Sequence, residues 1–437
     1  MIRKNTKGAD NMKLSVSQSK LSGTLVVPGS KSHTLRAVAL ASVAKGASII
    51  KAPLISEDTI SGITAASTLG AWVKRGDDSI WKISGTGGRF LEPAGVISLG
   101  NSGTSLRFFT ALASLADFPV AFDGDESLRT RQMEPLLKAL ENLGASSESN
   151  NFKCPLSICG PIRGGETVVS GKSSQYLSAL LITAPLCPED TVIRVTDLHE
   201  KPYVEMTLDW LRSQNIEFEN DPGLSCFKIR GGQSYHAFTR RIPGDFSSAA
   251  FPLVAGVLAG ADELVVKNLD FADTQGDKAI LEYLEKMGAE ITLLENAAVV
   301  KPARKLHAVE LDLNATPDLL PILAVAAAAA EGISLFRNVA QARMKETDRI
   351  YCMCRELEKM GIAVEEFEDG MAITGGVLHS AHLESYGDHR IAMAMAIAGL
   401  AASDEGTTLV NDAESIGVTY PSFIEDFKAA GASFYVN

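Results

Sequence analysis

The segment PGSKSHTLRAVALASVA, Pro28–Ala44, carries the pattern that decides the fold: a short polar, glycine-containing stretch followed by an Ala- and Leu-rich run. The pattern starts at Gly29 and returns at Gly100, Gly171, Gly244, Asn314 and Gly387. A second phrase, a helical stretch that ends at a glycine, recurs with the same period of roughly 70 residues, at Gly70, Gly144, Gly288, Gly361 and Gly431, with Gln214 in a degenerate copy between Gly144 and Gly288. Two independent phrases with one period indicate about six copies of one structural unit.

Each unit is predicted to contain a buried first helix, a short strand region and an amphipathic helix that ends near a glycine. The Ala-rich first helices have little polar face, so we expect them to be buried on nearly all sides. Stretches rich in β-branched residues, such as Thr191–Val195, Glu263–Val266 and Ile333–Phe336, are predicted to be strands. Because strands and helices interleave along the chain, the fold class is α/β.

The starts of the six first helices carry polar or charged residues. A helix start exposes unpaired N–H groups and a partial positive charge. Ser, Asn and Asp at these positions have an ordinary explanation as N-caps. Lys31 and Arg390 differ, because a cation there opposes the helix dipole unless an anion is also bound. If the six units pack symmetrically, the helix starts converge, and we expect phosphate-like ligands to bind between two halves of three units each.

Composition sets outer limits on function. The 437 residues include 41 Lys and Arg against 53 Asp and Glu, a net charge of −12, which argues against nucleic acid as the main partner. At about 150 residues per domain the length alone suggests roughly three domains, an estimate that the six-unit repeat revises. The longest apolar runs, Leu319–Ala330 and Ile391–Ala402, are too short for a membrane span of ~20 residues. Met1–Asp10 lacks the apolar core of a secretory signal.

The six cysteines and seven histidines are dispersed, with no spacing typical of a metal site. Scattered cysteines fit a reducing compartment, so we expect a cytoplasmic protein. Gly171–Ser173 suggests a phosphate-binding P-loop, but Glu166 stands where that motif needs glycine. Lys345, Glu346 and Arg349 form a charged cluster that composition alone explains equally well as a solvated helix face with ion pairs.

Taken together and in order, the phrases strongly resemble the 5-enolpyruvylshikimate-3-phosphate synthase family from about Pro28 to Pro421. They are PGSKSHTLRA, LGNSGTSLR, SLRTR, SSQYLSALL, KPYVEMTL, PGDFSSAA, PDLLPILAVAA, RMKETDRI and GDHRIAMAMA. The resemblance implies two α/β domains, each of three βαβαββ-type units with buried parallel helices, an inside-out barrel. We place the domains at residues 1–27 plus 243–437 and at 28–242, with the active site in the cleft between them and an N-terminal strand, Lys13–Gln18, completing the last unit.

The resemblance also implies a reaction: transfer of the enolpyruvyl group of phosphoenolpyruvate to the 5-hydroxyl of shikimate 3-phosphate, with release of phosphate. This reaction belongs to aromatic amino-acid biosynthesis and needs no metal, no cofactor and no covalent nucleophile. The sequence agrees in offering no cysteine before Cys154. We expect a monomer that acts on these two small molecules, with neither nucleic acid nor membrane as a partner.

The family's site residues carry over to matching positions. Asp318 would take the proton of the 5-hydroxyl, Lys345 would orient that hydroxyl, Glu346 would serve the enol carbon, and Lys31 is a second proton carrier. Shikimate 3-phosphate would contact Lys31, Ser32, Arg36, Ser173, Ser174, Gln175, Tyr203, Asp318, Gln341 and Lys345. Phosphoenolpyruvate would contact Lys31, Asn101, Gly103, Arg131, Gln175, Arg349 and Arg390. Arginine suits this task because its planar fork grips carboxylate and phosphate oxygens in pairs.

Five positions depart from the family pattern. Glu200 stands where many members have serine, and a carboxylate near a substrate phosphate would repel it. Gln341 replaces an asparagine, and Gln132 and Phe108 each replace a proline. Val418 stands where many members have a lysine that binds phosphoenolpyruvate, so one cation is missing.

Two alternatives stay open on sequence alone. A sister enolpyruvyl transferase acts on UDP-N-acetylglucosamine, but it usually has Lys-Asn where this chain has Lys31 and Ser32. It also usually carries a cysteine in the loop that here reads DGDESLRTRQM, Asp123–Met133. The other alternative is a catalytically silent ligand-binding paralogue, which the valine at position 418 allows and the retained Asp318 and Lys345 oppose.

Overall fold

The structure is a computed structural model that describes residues 12–76 and 79–437. The segment Met1–Asp10, expected not to be a secretory signal, lies outside these residues. No helix in the described part of the chain is long and apolar enough to cross a membrane.

Twelve α-helices in the described residues alternate between two environments. They are α1 (Lys31–Val43), α2 (Glu57–Thr68), α3 (Gly103–Ala113), α4 (Glu134–Asn142), α5 (Ser174–Thr183), α6 (Lys201–Ser213), α7 (Phe246–Ala259), α8 (Ile280–Lys286), α9 (Leu320–Ala328), α10 (Arg349–Lys359), α11 (His389–Leu400) and α12 (Phe423–Ala429). The odd-numbered helices are the predicted buried ones, and every residue of α9 and α11 is buried. The even-numbered helices bury one face and expose the other, as α4 does.

Short 3-10 segments occur at Leu128–Thr130, Ala184–Leu186, Gly276–Ala279, Pro317–Leu319, Ala340–Met344 and Ala413–Val418. Two of them lead directly into the first turn of a helix, because Gly276–Ala279 continues into α8 and Pro317–Leu319 continues into α9. Asp318 therefore lies in a 3-10 turn that continues without interruption into the buried helix α9.

Within the part of the chain that the structure describes, six four-stranded sheets repeat one topology. In spatial order they are Thr239–Arg241, Ala47–Lys51, Ile80–Ser84, Trp72–Arg75; Ile97–Ser98, Val120–Asp123, Lys153–Cys159, Ser146–Asn150; Gly165–Ser170, Thr191–Thr196, Cys226–Ile229, Phe218–Asn220; Leu21–Val26, Gly260–Lys267, Ala297–Val300, Ile291–Leu293; Glu310–Asp312, Ile333–Arg337, Gly370–Thr374, Ala363–Phe367; and His382–Glu384, Thr407–Asn411, Leu14–Ser17, Ser433–Val436. In each sheet the first pair is parallel and the other two pairs are antiparallel. A two-stranded parallel pair joins Leu306–His307 to Ala330–Glu331. The six-unit prediction and the three predicted strands are confirmed.

The predicted N-terminal strand completes the last unit. Leu14–Ser17 lies between Thr407–Asn411 and Ser433–Val436 and pairs antiparallel with both. The next strand, Leu21–Val26, pairs in parallel with Gly260–Lys267. Residues near the N-terminus therefore belong to sheets that the C-terminal half of the chain builds.

The buried apolar residues form two clusters without a common member. One cluster draws on residues 14–27 and 246–434, and the other on residues 35–242. Two short segments connect them side by side, because the Ser30 N–H donates to the Pro243 carbonyl at 2.8 Å and the Asp245 N–H donates to the Pro28 carbonyl at 2.9 Å. Gly29 and Gly244 lie opposite each other at this crossing. A Cβ at position 244 would lie 1.9 Å from the Asn268 carbonyl oxygen, so the close approach requires glycine.

The charged cluster around Arg349 is not a solvated helix face, so that interpretation was wrong. α10 begins only at Arg349, and Lys345 and Glu346 lie in the loop before it. The Arg349 side chain is 1% exposed, because carboxylates from three chain segments surround its guanidinium. Further along the same helix, Cys352 and Cys354 are buried in the core and unpaired.

Candidate active site

The predicted convergence of helix starts is confirmed in one cleft between the two halves of the chain. Residues from the starts of all six buried helices line it: Lys31 and Ser32; Gly103 and Thr104; Ser174 and Gln175; Asp245 and Ser247; Asp318; and His389 and Arg390. Buried helices that start at a shared cleft direct unpaired N–H groups and partial positive charge into it. The cleft thus receives residues from both parts of the chain, 28–242 and 243–437.

Asp318 is the carboxylate at the centre of the cleft. Its oxygens accept from Arg349 Nη1 at 2.8 Å and Arg390 Nη2 at 2.9 Å, and Lys345 Nζ lies 3.5 Å away. Burial alone would raise the pKa of Asp318, but the charges of Arg390, Lys345 and Arg349 hold it well below its usual value. Asp318 is therefore ionised and can accept a proton from a bound hydroxyl.

Arg349 links three carboxylates. Its guanidinium donates to Asp388 Oδ2 at 2.7 Å, to Glu346 Oε2 at 2.6 Å and to Asp318. Burial opposes the charge of Arg349, yet Asp388, Glu346 and Asp318 together raise its pKa. Such a network is costly to break, because removing one partner leaves a buried charge uncompensated.

Glu346 lies between two arginines. Arg349 donates to it, and Arg131 Nη1 lies 3.7 Å from its other oxygen. Burial favours the neutral form, but Arg349 and then Arg131 keep the pKa of Glu346 well below its usual value. Arg131 also donates to Asn101 Oδ1. A Cβ on Gly103 would lie 2.6 Å from Arg131 Nη1, so glycine leaves the room that this guanidinium occupies.

Lys345 and Ser174 meet at Glu200. The Glu200 carboxylate accepts from the Ser174 N–H at 3.2 Å, from Ser174 Oγ at 2.8 Å and from Lys345 Nζ. Although burial opposes charge, Glu200 and then Asp318 raise the pKa of Lys345, so the lysine is protonated. The departure from the family pattern at position 200 therefore lies inside the cleft.

Two arginines carry positive charge that no carboxylate of the described residues pairs with. Arg36 donates to Thr207 Oγ1 at 2.8 Å and to the carbonyls of Ser32 and Tyr203, and burial lowers its pKa to about 10. Arg107 donates to Gln175 Oε1 at 2.6 Å, and its buried Nε has no hydrogen-bond partner. Both positions favour an anion as the ligand.

Lys31 joins the two halves of the chain. Its Nζ lies 3.2 Å from Asp58 Oδ2, and its backbone N–H donates to Asp245 Oδ2 at 3.0 Å. The N-cap of α1 is Ser30, whose Oγ accepts from the His33 N–H, which fixes the first turn that carries Lys31. A substrate that binds the Lys31 ammonium would therefore compete with Asp58.

Tyr203 connects Asp318 to a second buried carboxyl. Its Oη lies 3.3 Å from both Asp318 Oδ2 and Asp277 Oδ2, and burial raises the pKa of Tyr203 well above its usual value. Burial and then the charge of Asp318 raise the pKa of Asp277 to about 7. Ser247 also donates to Asp277, and the other carboxyl oxygen has no partner.

The cleft brings together nearly all of the residues expected from sequence. Ser173 and Gln341 line its outer part, next to Gln132, Lys172 and Arg343. Asn101 does not line the cleft directly and contacts it through Arg131. Val418 ends a 3-10 segment and is absent from the lining, so this segment contributes no cation. Phe108 is buried, with the Arg36 guanidinium 5.5 Å from its ring centroid.

Sequence reasoning assigned no role to several lining residues. They are Asp58, Thr104, Asp245, Ser247 and His389. The positions of Asp245, Ser247 and His389 at helix starts were visible in the repeat, whereas nothing in the sequence marked Asp58 as a partner of Lys31. His389 is buried, and burial and then the charge of Lys31 hold its pKa well below its usual value, so it is neutral.

One group in the described residues could in principle hold a metal: ligand atoms of Glu346, Asp388 and His389 lie within 4.8 Å of one another. Both carboxylates already accept hydrogen bonds from Arg349. The guanidinium occupies the position that a cation would need, so this group is an arginine site.

The cleft can therefore bind anions and move protons. It offers cations on several sides, an ionised carboxylate at Asp318, and a protonated amine at Lys345. Such groups serve a reaction that adds a hydroxyl to an anionic acceptor.

Comparison with known proteins identifies the family. Residues 16–427 match the family model described as EPSP synthase (3-phosphoshikimate 1-carboxyvinyltransferase). The chain is 46% identical over 423 residues to the 3-phosphoshikimate 1-carboxyvinyltransferase of Acetivibrio thermocellus, covering 96% of this chain and 99% of that protein. The protein of the same name from Methanothrix thermoacetophila is 46% identical over 427 residues, with 97% and 99% covered. The solved EPSP synthase of Acinetobacter baumannii superposes with a TM-score of 0.83 at 26% identity, covering 98% of this chain and all of that one. The chain belongs to the EPSP synthase (3-phosphoshikimate 1-carboxyvinyltransferase) family.

Proposed function

We propose that the cleft transfers the enolpyruvyl group of phosphoenolpyruvate to the 5-hydroxyl of shikimate 3-phosphate. The observation that carries this proposal is the ionised Asp318, held by two arginines and a lysine where six helix starts meet. In the addition step, the substrate oxygen bonds to C2 of phosphoenolpyruvate, its proton goes to Asp318, and C3 gains a proton. In the elimination step, C3 loses a proton and the C2–O bond to phosphate breaks, which restores the C2–C3 double bond, now in an enol ether, and releases phosphate.

The shikimate 3-phosphate side would be formed by groups from both halves of the chain. Arg36 and Ser174 supply a charge and hydrogen-bond donors, and Lys345 lies 3.5 Å from Asp318, so it can hold the 5-hydroxyl next to the base. The remaining contacts proposed for this substrate are Lys31, Ser32, Ser173, Gln175, Tyr203 and Gln341. The buried Oε1 of Gln341 has no partner, which suits a ligand hydroxyl.

The phosphoenolpyruvate side would be formed by three arginines. Arg131, Arg349 and Arg390 surround Glu346 and Asp318, and both Nε and Nη1 of Arg390 are buried without a partner. Free guanidinium donors of this kind pair with carboxylate and phosphate oxygens. Lys31, Asn101, Gly103 and Gln175 are the further contacts proposed for this substrate.

Glu346 is the acid that we propose for the enol carbon, although it is ionised without substrate. Arg349 and Arg131 keep its pKa low. An anionic substrate that draws these two arginines to itself, and adds negative charge beside the carboxylate, raises that pKa. Glu346 would then take up a proton as phosphoenolpyruvate binds and deliver it to C3.

The same proposal assigns residues 1–27 plus 243–437 to one domain and residues 28–242 to the other. The two hydrophobic clusters and the hydrogen-bonded crossing at Gly29 and Gly244 support this division. We further propose that the protein is a monomer. Because all six cysteines are unpaired, we also propose a reducing compartment such as the cytoplasm. Small-angle scattering with shikimate 3-phosphate tests the division, since closure of two domains would compact the particle.

A phosphate-release assay tests the function. We expect turnover with shikimate 3-phosphate and phosphoenolpyruvate together and with neither alone. Lys31→Ala should reduce turnover at least ~100-fold, the range for a positioned proton carrier, whereas Lys74→Ala, at an exposed lysine, should be neutral. Turnover with UDP-N-acetylglucosamine in place of shikimate 3-phosphate would contradict the proposal, and absence of turnover with either acceptor would favour a silent paralogue.

A further inference from the structure

Glu200 occupies a position that the proposed function reserves for a substrate phosphate. Glu200 as a whole is 2% exposed, and its carboxylate accepts from both the backbone N–H and the hydroxyl of Ser174, at the start of the ten-residue helix α5. Lys345 contributes a third donor. A helix N–H, a hydroxyl and an ammonium that converge on two oxygens are the donors that a phosphate would use.

The surroundings of this carboxylate contain more positive charge than it neutralises. Arg36 lines the same cleft and lacks a carboxylate partner among the described residues. Arg107, which lies behind Gln175, has a buried Nε without a hydrogen-bond partner. If the Glu200 carboxylate moves away, a bound anion can therefore be contacted by the donors that the carboxylate leaves and by these two arginines.

Glu200 is also held in an unusual backbone conformation. Its φ is 54° and its ψ is 39°, in the left-handed region, at the position before α6. Its side chain does not cap that helix, although glutamate at a helix start could interact with the free N–H groups. The side chain reaches instead across the cleft to α5, which directs its charge to Ser174.

We propose that Glu200 is a built-in competitor for the phosphate of the first substrate, and so determines which anions the cleft accepts. In the free enzyme its carboxylate holds Ser174 and Lys345. Binding of the 3-phosphate takes over the Ser174 donors, and the carboxylate moves away. A stray monoanion gains too little to displace Glu200, whereas a ligand that offers a phosphate together with a ring that fits the cleft can do so. This inference rests on the proposed function for the identity of the substrate, but not for the exchange itself.

The test measures the affinity for inorganic phosphate, which needs no turnover. We expect Glu200→Gln, which removes the charge and keeps the size, to bind phosphate at least ~10-fold more tightly than the wild type, because a like charge at close range is removed. Glu200→Ser should behave in the same way. Glu205→Gln is the matched control, because Glu205 lies on α6 in a surface pair with Arg212 at 3.9 Å.

Two further measurements localise the effect. Ser174→Ala combined with Glu200→Gln should lose the gain, because the exchanged donors are then incomplete. In steady-state assays, the KM for shikimate 3-phosphate should fall in Glu200→Gln by more than the KM for phosphoenolpyruvate. Thermal melts of each variant establish that it is folded.

The outcomes separate this inference from the proposed function. Unchanged or weaker phosphate binding in both folded Glu200 variants, with a reduced kcat, would mean that Glu200 only holds Lys345, and would overturn the inference. Tighter phosphate binding in variants of an enzyme that does not turn over shikimate 3-phosphate would support the exchange while rejecting the proposed function.

Discussion

Replacing Asp318 with asparagine is the sharpest perturbation of the proposed mechanism. The amide keeps the size of the carboxylate and one hydrogen-bond acceptor, but it cannot take a proton from the 5-hydroxyl. Because Arg349, Arg390 and Lys345 keep the pKa of Asp318 low, the wild-type group is ionised throughout the working pH range and its loss cannot be compensated by raising the pH. We expect kcat to fall at least ~100-fold, the range for a positioned base.

The effect on stability can be worked out from the partners that remain. Arg349 keeps Asp388 and Glu346, and Lys345 keeps Glu200. Arg390 loses the one carboxylate that pairs with it within the described residues. A buried hydrogen bond to a charged group contributes about 1.5–3 kcal/mol, so the free energy of unfolding should fall by roughly 2 kcal/mol. The fold should survive this loss, which allows the kinetic effect to be measured on folded enzyme.

The assay is phosphate release at saturating substrates, with thermal melts in parallel and Asp262→Asn, at an exposed strand position, as the matched control. The sign of the pH dependence follows from the lowered pKa. A carboxylate with a lowered pKa stabilises the fold above its unfolded pKa of about 3.9 and loses this contribution as the pH falls through its folded value. Asp318→Asn should therefore differ in stability from the wild type at neutral pH, and the difference should shrink in strong acid. A kcat within about tenfold of the wild type would remove Asp318 from the role of base.

Three other perturbations follow from the described geometry. Gly103→Ala should raise the KM for phosphoenolpyruvate more than that for shikimate 3-phosphate, because its Cβ would lie 2.6 Å from Arg131 and 2.7 Å from Arg107; equal changes in both constants would contradict this. Binding of phosphoenolpyruvate to the enzyme loaded with shikimate 3-phosphate should take up a proton, measured by calorimetry in buffers of different ionisation enthalpy, and Glu346→Gln should abolish the uptake. Burial raises the pKa of Asp277 to about 7, which is higher than the value of about 3.9 expected for the unfolded chain. The wild type should therefore lose stability as the pH rises from 4 to 7. Asp277→Asn should flatten this pH profile of melting temperature, and an unchanged profile would show that the carboxyl is ionised throughout.

The repeat made the architecture predictable, because a helix buried on all sides must be apolar and a strictly repeated unit must place such helices at equal intervals. The same reasoning predicted that Lys31 and Arg390, each at a helix start, would lie in one cleft, and they do. It could not reveal that these cations are already paired, because Asp58 lies on the second helix of the unit that carries Lys31 and Asp318 lies in a different unit from Arg390. The contact of Asp58 with Lys31 and that of Asp318 with Arg390 both depend on how helices pack together, and neither contact has a sequence signal.

Two further features of the site were not predicted, the first because a local helix cap was overlooked and the second because it depends on a tertiary contact. The spacing of Lys345 and Arg349 is compatible with a helix, but the helix begins at Arg349 because Asp348 caps it, its side chain accepting from the Tyr351 N–H at 3.0 Å. Position 200 was recognised as a departure from the family pattern. Its contact with Ser174, 26 residues earlier in the chain, required the fold.

The position of the N-terminal strand has a consequence for the order in which the molecule can form during synthesis. Leu14–Ser17 is an inner strand of the last sheet, and its neighbours, Thr407–Asn411 and Ser433–Val436, are made last. The three sheets built from residues 47–241 need no later segment, so this part can fold while the ribosome is still translating the rest. The strand Leu14–Ser17 must therefore wait for two strands that are synthesised several hundred residues later, and the last sheet can form only after both of them have left the ribosome.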